Sequence, residues 1–488
     1  MSNLSVWLTP IWLLCVGATV GTVILLVMWG IVAVFSRQLA RSIWARVSEG
    51  VLLPISYTLV ALAVIAVIAT PVMPLDRMIS SLKRVPYVGP VKFEVTVPAD
   101  TTDFEVGGVA FRMDELRSYS IESEQDVALN IEVEKGFTEP LIQINGGDLY
   151  QWSPGSNLAR AFETDVEGIF LTNESDLPTV VKGTFETEIE MPEVHDLKVT
   201  AISVVAVYLI YMLICGLAPR ASIIATATAK EAVSQPLFVL LTIVGVVALI
   251  AYIYIPYNTF GEDVKMLKTS GMTTIKVLAI LVALWTASVS VSDEIEGRTA
   301  LTVLSKPVGR RQFIMGKFMG IVWPILLMFV ILGIVFLLTV SYKVVYDARE
   351  SSKTAPIWQE CYLEVVRIVP GLVLAFFEAV VMAAISVAIS TRLSMLPNLV
   401  ICGSIYVLGH LGPLIVKSAA GEIVFVKFIG RLISVMLPVL DHYEIEGAIA
   451  GSSTVPPEYL WTTLLYSALY CSAAMLLALI FFEERDLA

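Results

Sequence analysis

The chain has 488 residues, of which 57% are hydrophobic and 16% charged; soluble domains are nearer half apolar and a quarter charged, so an ordinary soluble protein is excluded and a polytopic membrane protein is left. Its net charge of −12 comes from an acidic stretch between Asp76 and Lys198, and the remainder is slightly basic. No basic patch with interleaved aromatics appears, which excludes a nucleic-acid partner, and the five scattered cysteines and three distant histidines set neither a disulfide framework nor a metal-ligand spacing, so no metal or cofactor is expected.

A membrane helix needs roughly 17–25 apolar residues. Hydropathy predicts nine such spans, at about 11–35, 51–73, 199–217, 236–257, 273–291, 319–341, 370–390, 398–417 and 459–482. The first lacks a basic lead-in and its apolar core is too long for a cleaved signal. Lys and Arg in short loops set orientation. Arg37, Arg41 and Arg46 lie in 36–50, Arg220 and Lys230 in 218–235, five basic residues in 292–318, and Arg392 between spans seven and eight. Nine alternating spans put all of these on one side, taken as cytoplasmic. The N-terminus is then outside, the C-terminus inside, and the expected location is the inner or plasma membrane.

In chain order, residues 1–75 carry two spans, 76–197 an extracytoplasmic insert, 198–218 the third span, and 219–488 a six-span unit. The piece 75–84, with Asp76, Arg77, Lys83 and Arg84, is expected along the outer interface. Segments 91–97, 126–134 and 183–191 alternate apolar and polar residues at period two, with turn signals such as Gly107-Gly108 and Gly146-Gly147 between strands. That pattern predicts an all-β, sandwich-like domain. Its carboxylates read as a solvated acidic surface and supply no catalytic constellation. Asn173-Glu174-Ser175 is a glycosylation sequon, relevant in a eukaryotic host. Tyr150 and Trp152 are either a binding surface or core aromatics. Residues 219–238 predict a short helix on the cytoplasmic surface that feeds the first core span.

Spans five and six flank the charged stretch Ser292–Phe318, SDEIEGRTALTVLSKPVGRRQFIMGKF. Those two spans carry no charge except Lys276, read as near a helix end. The stretch has an acidic start, Glu294 and Glu296 with Gly297, Arg298 and Thr299, then a hydrophobic turn through Leu304, then Pro307, Arg310, Arg311 and Lys317. It resembles the cytoplasmic coupling segment of ABC-2 type ABC transporter permeases, and with the entry helix and six spans the resemblance covers roughly 219–488. Spans one to three and the β-domain are additions to a minimal six-span permease.

A P-loop needs G-x-x-x-x-G-K-[ST]. The nearest string, Gly309–Lys317, has six residues between its glycines and is followed by Phe318, so no ATPase motif and no catalytic residue is present. The resemblance implies a separate ABC-type ATPase subunit, a second permease half, identical or related, and membrane lipids around them. It also implies that Leu301, Val303 and Leu304 seat in the ATPase, that Arg310 and Arg311 orient on an acidic rim, and that Glu294 and Glu296 pair with Arg298 or the basic stretch. The bland alternative is a positive loop holding lipid headgroups.

Glu378 and His410 lie roughly 10–12 Å below the outer surface at 1.5 Å per residue. The short turn 391–397 predicts that their helices are antiparallel neighbours whose side chains meet. The pair reads as a structural hydrogen-bonded one with Glu378 neutral, or as a gate or proton relay. Gly403, Gly409 and Gly412 with Pro413 suit close helix packing. The stretch 418–457 is read as an interfacial or re-entrant helix rather than a tenth span.

The resemblance implies an ATP-driven permease subunit, and export or flipping of a lipid, polysaccharide or hydrophobic molecule rather than import. Two alternatives are kept: a receptor or assembly protein that uses the β-domain, and a proton-coupled secondary transporter.

Overall fold

The computed structural model describes residues 3–132, 140–154, 156, 160–255, 262–296, 308–352, 354–417, 428, 437–445, 447–448 and 455–483. The chain forms two compact units, one of Met1–Val72 with Leu197–Ala488 and the other of Met73–Asp196.

In the membrane unit the long helices are α1 (Asn3–Phe35), α3 (Leu53–Ala69), α5 (Asp196–Leu217), α7 (Pro236–Tyr254), α8 (Asp263–Ala287), α9 (Arg310–Glu350), α11 (Val369–Ser390), α12 (Met395–Lys417) and α13 (Pro457–Glu483). Shorter α2 (Arg37–Ser48), α6 (Pro219–Ser234) and α10 (Trp358–Val366) connect them, and α4 (Leu75–Arg84) belongs to the other unit. Among the described residues, eight helical stretches are long and apolar enough to cross a bilayer, and α12 coincides with the remaining sequence-predicted span. Helices α8 and α11 are buried over most of their length, while α3, α5, α7 and α13 turn Val67, Ile68, Leu213, Leu240 and Leu476 outward. Two centrally placed helices inside an apolar ring are what lipid as solvent favours.

Small residues set the closest helix approaches. A Cβ on Gly316 would lie 2.8 Å from the Ala221 carbonyl oxygen, and one on Gly320 2.8 Å from that of Ala225. The G-x-x-x-G of α9 therefore packs against a face of α6 made of Ala221, Ala225, Thr228, Ala229 and Ala232, all buried. Such a stripe brings backbones within van der Waals reach. The additional helices are tied in by side chains: Trp12 Nε1 donates to the Ala66 carbonyl at 2.9 Å, and Ser341 Oγ donates to that of Trp7 at 2.6 Å.

The second unit is an all-β sandwich of β1 (Pro90–Val97), β2 (Thr101–Val106), β3 (Leu116–Ser123), β4 (Val127–Asn130), β5 (Ile142–Ile144), β6 (Leu149–Trp152), β7 (Ile169–Asn173) and β8 (Thr179–Thr187). Two antiparallel four-stranded sheets run β1-β8-β3-β6 and β2-β7-β4-β5. Alternation does the work: along β8, Thr179, Val181, Gly183, Phe185 and Thr187 are buried and Lys182 and Glu186 exposed. Inward residues Ile121, Leu129, Phe162, Leu171, Val181 and Phe185 fill the core, and Gly108 and Gly147 supply turns at φ 83° and 84° that an L side chain resists.

Candidate functional site

The structure describes the two ends of the charged stretch, 292–296 and 308–318, while Gly297, Arg298, Thr299, Leu301, Val303, Leu304, Pro307 and the side chain of Glu296 lie outside the described residues. Helix α8 widens after Ala287 into a π-helical turn, Ser288–Asp293, before the short turn Glu294–Glu296. On the return, Lys317, buried in the second turn of α9, forms an ion pair with Glu294. One carboxylate and one ammonium thus close the base of the whole segment. The pairing expected for Glu294 goes to the basic stretch, at Lys317.

Around this base several chain ends converge. Ser292 Oγ donates to the Leu393 carbonyl in the α11–α12 turn at 3.0 Å. Arg310 donates to the Glu483 carbonyl at the end of α13 at 2.9 Å, with its guanidinium 5.9 Å from the Phe482 ring. Arg392 lies over Phe481 at 5.9 Å. A cation on the last carbonyls of a helix is electrostatically favoured, so part of Arg310's bonding capacity is used inside the chain. Arg311 is exposed.

Just above the base sits a hydroxyl cluster that sequence reasoning missed. Asn398 is fully buried, and its Nδ2 has Ser288 Oγ and Ser386 Oγ at 2.8 Å and Ser390 Oγ at 2.9 Å. An amide nitrogen carries two hydrogens, so two of the three serines accept at any instant. Cys402 Sγ lies 3.2 Å from Asn398 Oδ1. The cluster joins the π-turn, α11 and α12 in buried surroundings. The only sequence signal was the asparagine just after Pro397, opening an apolar run.

Glu378 and His410 come together, with Oε1 3.4 Å from Nε2. Lys276 joins them, Nζ 3.6 Å from Glu378 Oε2. Glu378 is 0% exposed and Lys276 5%, and His410 Nδ1 is 3.1 Å from the Tyr406 carbonyl. The sequence reading placed Lys276 near a helix end because it began span five at Thr273. Helix α8 starts at Asp263 instead, so Lys276 lies roughly 20 Å along it at 1.5 Å per residue. A carboxylate between an ammonium and an imidazole has the countercharge that burial demands.

At the other end of α8, Lys268 pairs with Glu364 of α10, and Glu364 also faces Arg367 at 3.5 Å. Lys343 lies 3.5 Å from Asp263 Oδ2 and donates to the Ile253 carbonyl at 3.0 Å. The stretch 418–457 falls largely outside the described residues. Its described turn Leu440–Tyr443 packs on α11 and α12, and Tyr443 Oη is 2.8 Å from Ser467 Oγ.

In the β-domain, Trp152 is buried and stacks on Tyr119 at 5.6 Å, so it is a core aromatic. Asn173 is buried as well. Its Nδ2 donates to the Pro98 and Leu177 carbonyls at 2.9 and 3.0 Å, and its Oδ1 accepts from the Ser175 amide and hydroxyl. The sequon is a structural turn.

The long apolar helices, their paired buried charges and the inserted β-domain define an integral membrane protein with a charged segment between two of its spans. No curated protein matches the chain. Residues 257–487, just under half of the chain, match the family model described as ABC-2 family transporter protein, and the match supports an ABC-2 type permease.

Proposed function

We propose that this chain is the membrane half of an ATP-driven exporter and docks a separate ABC-type ATPase through residues 292–318. The observation that carries the reading is the Glu294–Lys317 pair. A segment hinged at one point transmits little force, whereas a segment whose two ends are fixed to each other moves as a unit with α8 and α9. ATPase closure pushing on such a unit shifts both spans together, and the π-turn with the Asn398 cluster passes that displacement to α11 and α12. Two copies, or one copy and a related chain, enclose the path. In this reading the coupling side is cytoplasmic and the β-domain lies outside, in line with the basic loops.

The test is affinity purification of the tagged chain in mild detergent. Recovery of an ABC ATPase with wild type, and its loss with Arg311→Glu, is the expected result; Arg311 is exposed, whereas Arg310 already holds the end of α13. Absence of any ATPase, under conditions that keep other membrane complexes intact, would overturn the reading.

The contact of Glu378 with both Lys276 and His410 favours one second reading, proton-coupled transport. It separates cleanly in proteoliposomes: that mechanism runs on an imposed pH gradient without ATP, and the exporter does not.

A further inference from the structure

We propose that helix α4 and the turn after it are a membrane-surface anchor that rests on phospholipid headgroups. The inference does not depend on which ATPase the permease uses.

Helix α4 is bound to the β-domain along one side only. Met78 and Ser81 are buried, and the helix packs on the turn Pro192–His195. At its end the Arg84 guanidinium makes a two-pronged contact with the buried Glu115 carboxylate, both bonds 2.7 Å. The other side carries an apolar ridge that no described residue of the same unit covers. Ile79 and Leu82, three apart and so neighbours on the helix surface, are each 47% exposed, and Tyr87 just beyond is 75% exposed. Arg84 lies over the Tyr87 ring at 5.7 Å, holding that aromatic in place.

Chain connectivity says what covers this ridge. Val72 ends an apolar membrane stretch and Leu75 begins α4. Three residues of chain span at most about 11 Å, so the start of α4 cannot leave the headgroup zone. The turn that α4 packs against runs directly into α5, the next membrane-spanning helix. Both strands of the tether therefore meet the bilayer at this helix. Among the charges of α4, exposed Lys83 lies four residues from Ile79 and so on the ridge side, with exposed Asp76 three residues before Ile79, while Arg84 is taken up by Glu115. Leucine and isoleucine on one face, a lysine beside them and a tyrosine at the rim suit a helix lying in the headgroup layer.

The experiment uses the full chain in proteoliposomes. The described native cysteines are all buried, so a single introduced thiol takes an environment-sensitive dye selectively. Ile79→Cys and Leu82→Cys are compared with Leu177→Cys. Leu177 is also 60% exposed but lies beyond the start of β8, whose nine residues put roughly 30 Å between it and the end that leads to the membrane. At 79 and 82, spin-labelled phospholipid should quench the dye several-fold more than at 177, and aqueous iodide should quench it several-fold less. Equal iodide access at all three sites would overturn the proposal. Shielding from iodide without quenching by labelled lipid would overturn it too, since another protein surface would then cover the ridge.

Discussion

Removing the charge of Glu378 while keeping its shape, by Glu378→Gln, leaves Lys276 as a buried ammonium whose carboxylate is gone. Unit charges 3.6 Å apart attract by roughly 4.6 kcal/mol at an effective dielectric of about 20, and stripping one partner from a buried pair costs about 3–5 kcal/mol. Lys276→Met should cost a similar amount, because Glu378 is fully enclosed. His410 is the more accessible flank at 18% exposure, and His410→Gln should cost only about 1 kcal/mol, since Lys276 still answers the carboxylate. The double variant Lys276→Met/Glu378→Gln removes both charges and should be more stable than either single. Unfolding of the full-length chain in mixed micelles of rising SDS content measures all four. A double variant as unstable as the two singles added together would refute the pairing, because uncoupled sites add.

Gly316→Val puts branched methyl groups where the Ala221 carbonyl oxygen and Ile224 already stand 2.8 Å from a bare Cβ; a loss of roughly 1–3 kcal/mol, seen in the same titration, should come with greater protease access to the 218–235 connection. Burial pushes the Tyr119 phenol from 10.0 up to about 12. The folded state thus favours the neutral phenol, so its contribution is complete below pH 10 and falls by about 1.4 kcal/mol per unit between roughly pH 10 and 12. Near-ultraviolet dichroism should show a shallower alkaline loss in Tyr119→Phe, and an unchanged slope would count against the burial argument. Expression in a glycosylating host should leave Asn173 unmodified, read as an unchanged mass after glycosidase treatment. Asn173→Ala should destabilise the domain by roughly 1–3 kcal/mol by orphaning the Pro98 and Leu177 carbonyls.

Much of this architecture is written in local pattern. Runs of apolar side chains long enough to satisfy a bilayer mark the spans, because lipid offers no partner to an open backbone. Period-two alternation marks β1 and β8, because a strand beside a core buries every second residue. The coupling stretch stands out by being charged between two apolar runs. Glu378 and His410 were visible as ionisable residues at membrane depth, and the short α11–α12 turn was enough to bring them together on paper.

What the sequence left open is which distant groups answer each buried charge. Lys276 was placed near a helix end because hydropathy begins a span where polar residues stop, whereas backbone hydrogen bonding carries α8 back to Asp263. The partners in Glu294–Lys317 and Glu364–Lys268 lie on different helices, as Asn398 of α12 does from Ser288 in the π-turn and Ser386 and Ser390 of α11, and no periodicity records an approach between helices. The sequence by itself determined the spans, the alternating strands and the place of the charged segment, since each follows from a chain's contact with its solvent. Only the tertiary structure decided how the buried ions pair, which glycines let α6 and α9 touch, and which side of α4 faces its own domain. Those outcomes depend on the exclusion of water between elements far apart in the chain, which a linear reading does not contain.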